Sequence, residues 1–96
     1  MQRVARHDHP EVREIAPSHH CVVRFRQRRP IRERGAEAVA EALIGALEGS
    51  DVSCWPPAWA VGERTSGLWA VNGELAFPLE PGGAPGRFVA ITCLSR

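Results

Sequence analysis

Ser18 to Arg29 reads S-H-H-C-V-V-R-F-R-Q-R-R. In a helix, His20, Arg24 and Arg28 recur at i, i+4 and i+8 and share one face. That face carries one imidazole and two guanidiniums. Imidazole titrates near neutral pH and can act as general acid or base. Guanidinium grips a phosphate through paired hydrogen bonds. Phosphate recognition, with or without proton transfer, is the chemistry these residues offer. A structural reading stands beside it. His20 would then hydrogen-bond a sheet carbonyl, and Arg24 and Arg28 would pair with acids such as Glu14 or Glu74.

Charge points the same way. The net charge is +1, yet residues 1–34 hold nine arginines against four acids, and the remainder holds three against seven. Arg24, Arg26, Arg28, Arg29, Arg32 and Arg34 fall within eleven residues. Such a cluster can form a phosphate-binding surface or a solvated helix face followed by a basic loop. Every basic residue is Arg, which suits bidentate phosphate contacts and equally follows from a GC-rich genome.

The elements that must position these groups follow from local signals. Residues 1–10 are polar, aperiodic and end in Pro10, which predicts a flexible tail. His7 and His9 flank Asp8, but no further ligands have suitable spacing, so no metal site is expected. A weak strand is expected over Val12–Ile15. Ser18 is a good N-cap for the first helix, which Pro30 should stop. Ala36, Val39, Ala40, Leu43 and Leu47 form an apolar stripe that predicts a second helix from about Gly35 to Leu47. Val52–Trp55 can be a strand before Pro56-Pro57. The W-P-P-A-W segment either covers a core edge or offers a tryptophan for base stacking. Leu68–Val71, Asn72-Gly73 and Glu74–Phe77 predict a hairpin with a type I′ turn. Glu80 to Gly86 is a Pro/Gly loop, and Phe88–Leu94 is an apolar final strand.

The 96 residues make one domain, with the tail at 1–10 and the folded part at 11–96. The expected class is α+β, with two N-terminal helices packed on one face of a 3–4-stranded antiparallel sheet. No apolar run is long enough to cross a bilayer and no secretory signal is evident. Three isolated cysteines, Cys21, Cys54 and Cys93, fit reduced thiols and a cytoplasmic location. No cofactor motif is present.

The string Ser18-x-His20-x-x-x-Arg24-x-x-x-Arg28 resembles the S-x-H-A-x-x-R-x-x-x-R helix that opens many small RelE-like and BrnT-like proteins of bacteria and phages, with Cys21 in place of the usual small residue. The order of elements matches over roughly residues 12 to 94, ending in Val89-Ala90-Ile91-Thr92. The W-P-P-A-W connection and the Pro/Gly loop depart from compact members of that group. The resemblance implies a barnase–colicin–RelE type fold and a toxin-like, metal-independent endoribonuclease, with RNA as substrate and a cognate antitoxin as protein partner. It implies His20 as base or acid, Arg24 and Arg28 on the scissile phosphate, and Thr92 as a hydroxyl donor. Arg26, Arg29 and Arg32 would contact flanking phosphates. Tyrosine is absent, which excludes a tyrosine-dependent version. The alternative is a non-catalytic relative that binds nucleic acid or a protein partner through the basic first helix.

Overall fold

The computed structural model describes residues 3–28, 35–60 and 66–96. The strands and helices run β1 (Ala5–Arg6), β2 (Glu14–Pro17), α1 (His19–Arg28), α2 (Ala36–Glu48), β3 (Asp51–Ser53), β4 (Leu68–Asn72), β5 (Leu75–Pro81), β6 (Arg87–Ala90) and β7 (Leu94–Ser95).

α1 starts where its capping signal lies. The Cys21 N–H donates to Ser18 Oγ at 3.0 Å, which satisfies one of the free donors of the first turn. The same hydroxyl donates to the Ile91 carbonyl at 3.1 Å, and the Ser18 N–H donates to the Ala90 carbonyl at 3.0 Å. One serine thus starts the helix and ties it to the end of β6. α2 buries Val39, Leu43, Ile44 and Leu47, while Ala36 is exposed.

The sheet corrects the expected architecture. It is mixed and strongly curled, with seven strands rather than three or four antiparallel ones. The order is β1-β2-β6-β5-β4-β3, and β7 pairs with β5. β2 and β6 run parallel, from Glu14 opposite Arg87 to Pro17 opposite Ala90, and the other pairs are antiparallel. Three strands have only two or three residues, too few for a period-2 pattern to show. Within the expected tail, Ala5 pairs with Ile15 and is fully buried.

The final apolar run is split, and Pro78 supplies the reason. Ile91 N–H donates to the Pro78 carbonyl at 3.1 Å, but Pro78 has no N–H to donate in return. Pairing lapses there, so β6 ends at Ala90 and β7 resumes at Leu94.

The hairpin turn also differs in type. Asn72 pairs with Leu75, so Gly73-Glu74 is the loop. Gly73 has φ of 60°, and among the described residues no non-glycine has positive φ. A glycine alone at the first loop position is the type II′ pattern, whereas type I′ needs positive φ at both. Asn72 serves otherwise: its Nδ2 donates to the Ala46 carbonyl of α2 at 2.9 Å.

One apolar cluster joins both helices to one face of the sheet through Ile15, Cys21, Phe25, Leu43, Leu47, Phe77 and Leu79. Complete burial of a side chain such as Phe77 contributes roughly 1.5–3 kcal/mol. Trp69, 2% exposed, and its cross-strand partner Pro78 alternate with Ala70 and Phe77 and so lie on the other face. The centre of the sheet is therefore covered on both sides.

Candidate functional site

α1 turns Cys21 and Phe25 into the core. The helical period then sends His20, Arg24 and Arg28 along one flank. His19, His20, Arg26 and Arg28 are exposed, and Arg24 is half-buried. Arg24 Nη1 donates to Gln27 Oε1 at 3.3 Å. α1 contains no acidic residue, and Arg26 and Arg28 lie in its last turn, where the helix dipole favours cations. Among the described residues no acid forms an ion pair with any arginine of α1. Three acids are engaged elsewhere. Glu37 and Glu41 face Arg3 at 3.1 and 3.9 Å, and Glu14 holds Arg6 and Arg87.

Thr92 is 4% exposed and lies in the break between β6 and β7. The Ser18–Ile91 bond brings the start of α1 beside that break. His20 nevertheless faces solvent while Thr92 is buried, and no hydrogen bond joins any two of His20, Arg24, Arg28 and Thr92 among the described residues. Arg29 and Arg32 lie outside the described residues. Among the described residues the arrangement presents one imidazole and two guanidiniums in a row without acidic partners, rather than a closed constellation around one reacting atom.

The thiols add no nucleophile to that row. Cys21 is fully buried, and burial first, then the neighbouring Cys93, pushes its thiol up to about 12. A neutral, enclosed thiol is a packing atom. Cys54 is exposed.

Two features escape the sequence pattern. His7, expected in a loose tail, has its side chain only 9% exposed, and its Nε2 donates to the Ser50 carbonyl at 2.9 Å. Its Nδ1 is buried with no hydrogen-bond partner among the described residues, 4.0 Å from Asp8 Oδ1. Arg6, His7, Asp8 and Glu48 line an open pocket of about 360 Å³. The partner of His7 is 43 residues away, so no local pattern could signal it. The second feature is Trp55, 76% exposed. Ser53 Oγ accepts from the Trp55 N–H at 3.3 Å, and a turn follows in which Ala60 N–H donates to the Pro57 carbonyl at 2.9 Å. Trp59 of the same segment is half-buried.

Among the described residues no group of three or more His, Cys, Asp or Glu is arranged to hold a metal ion, and no helix is long and apolar enough to cross a membrane. No protein-family model, curated protein or solved structure matches the chain.

Proposed function

We propose that the chain binds RNA through the exposed basic flank of α1. The carrying observation is that five cationic or titratable side chains, His19, His20, Arg24, Arg26 and Arg28, lie on a helix without one acid to neutralise them. Unpaired surface arginines attract phosphate backbones and release counterions on contact. Val22, Cys21 and Phe25 hold the opposite face against the core, so the helix offers a fixed spacing of guanidiniums. His20, Arg24 and Arg28 make one row, and Arg26, two residues from Arg24 and from Arg28, is exposed on another side of the helix.

The competing reading is a metal-independent endoribonuclease on the same helix, and the link from Ser18 to Ile91 is the observation in its favour. Thr92, a residue only 4% exposed, weighs against it, because a donor to a leaving group must reach the substrate.

Fluorescence anisotropy with a labelled single-stranded RNA tests both. Arg24→Ala combined with Arg28→Ala should weaken binding roughly 10- to 100-fold. It should also flatten the plot of log affinity against log salt by about 1.4, near 0.7 for each lost contact on a single strand. Affinity and slope unchanged by the pair would remove α1 from the account. Gel analysis of the same mixtures reads cleavage. Cleavage by the native chain that disappears in His20→Ala would select the nuclease reading.

A further inference from the structure

A second arginine group lies away from α1, where β1, β2 and β6 meet the loop 82–86. Glu14 is opposite Arg6 on one side and Arg87 on the other. Its Oε1 accepts from Arg87 Nε at 2.7 Å and its Oε2 from Arg6 Nη1 at 3.4 Å. Glu14 is 19% exposed while Arg87 is 46% exposed, so the carboxylate sits under the guanidinium that it orients. Because Arg87 uses Nε for this bond, and no described residue engages its Nη groups, both of these remain for an external acceptor.

Two glycines seat the neighbouring arginine stems. At Gly86, with φ of 80°, a Cβ would meet Arg13 Cγ at 3.0 Å and Arg13 Cβ and Cδ at 3.3 Å. At Gly82 a Cβ would meet Arg87 Cγ at 2.8 Å. The N–H groups of Arg13 and Glu14 both donate to the Gly86 carbonyl, at 2.8 and 3.1 Å, which locks the loop against β2. Arg13 is exposed, and among the described residues its guanidinium has no partner. Asp8 and Glu48 share a pocket with Arg6, so the positive centre falls on Arg13 and Arg87 instead.

We propose that Arg13 and Arg87, seated on Gly86 and Gly82 and oriented by Glu14, form an oxyanion site for a phosphate group. Guanidinium matches phosphate geometry through paired N–H donors, and a guanidinium already held by a carboxylate loses less freedom on binding. The phosphate is that of a free polyphosphate or of a nucleic-acid backbone. The site is separate from α1 and does not rest on the function proposed for that helix.

NMR of the arginine Nε–H groups in the ¹⁵N-labelled chain, titrated separately with pyrophosphate and with a short oligouridylate, tests this. Saturable shifts at Arg13 and Arg87 with pyrophosphate support a site for a free polyphosphate. Shifts at both with the oligonucleotide alone support a backbone site. Arg13→Ala with Arg87→Ala should weaken the response roughly tenfold or more, a cost of the size expected for charged hydrogen bonds. Arg24→Ala with Arg28→Ala should leave the pyrophosphate response intact. Arg87→Lys, which keeps the charge and the fold, should also weaken binding. Glu14→Gln should weaken it too, since the orienting carboxylate is lost. Tighter binding by Glu14→Gln would reveal undirected charge and overturn the built site. No shift at Arg13 or Arg87 with either ligand would overturn it as well.

Discussion

Cys21 illustrates what a single position does in this molecule. Next to His20 in sequence, it turns to another face of the helix and is enclosed by the core. With its thiol pushed up to about 12 from an ordinary value near 9, the folded state holds that proton more tightly than the unfolded chain does. Stability linked to it is therefore complete below about pH 9 and declines as pH rises toward 12. Urea unfolding at pH 7.5, and again at about pH 10, should show that fall, and Cys21→Ala should reduce the difference between the two. A difference that Cys21→Ala leaves intact would place the titration elsewhere. The start of its helix was legible from the Ser18 cap. The burial of His7 was not, because nothing near His7 in sequence announces the Ser50 carbonyl. The burial of Thr92 was not legible either: it lies in the break between β6 and β7, where the preceding Ile91 N–H bonds the Pro78 carbonyl of a different strand.

At the level of elements, the two helices and the β4–β5 hairpin were readable because their signals are local. Ser18 caps α1 at the expected place, and the stripe from Val39 to Leu47 turns inward. The hairpin stands where Asn72-Gly73 indicates, but with its loop one residue on, because Asn72 pairs with Leu75 and gives its side chain to Ala46. That difference is measurable. Gly73→Ala should destabilise the fold by about 1–2 kcal/mol, the usual cost of a left-handed backbone for a residue with a Cβ. Asn72→Ala should instead cost about 1 kcal/mol, the scale of one hydrogen bond. Chemical denaturation of the two variants checks the order. A Gly73→Ala chain as stable as the native one would contradict the turn assignment. The short strand β1 left no such trace, since two residues cannot display alternation, whereas β3 overlaps the strand expected over Val52–Trp55.

For the whole molecule, the parallel pairing of β2 with β6 is the decisive contact. It joins residues 73 apart, Glu14 with Arg87, and sets β6 between the N-terminal strands and the hairpin. β5 and β6 have neighbours on both edges, whereas β1 and β3 end the sheet. Amide hydrogen exchange should accordingly be slowest in β5 and β6 and faster in β1 and β3. Slowest exchange in β3 would mean that the edge assignment is wrong. The same pairing decides the charge layout. It engages Glu14 with Arg6 and Arg87 and leaves the arginines of α1 without it. The sequence by itself determined the helices, the hairpin, the two-helix α+β character and the clustering of arginines, because propensity, capping and periodicity act within a few residues. Only the tertiary structure decided the seven-stranded mixed sheet, the burial of His7 and Thr92, and the seating of Arg13 and Arg87 on glycines. Those depend on hydrogen bonds between segments far apart in the chain, whose partners no local pattern names.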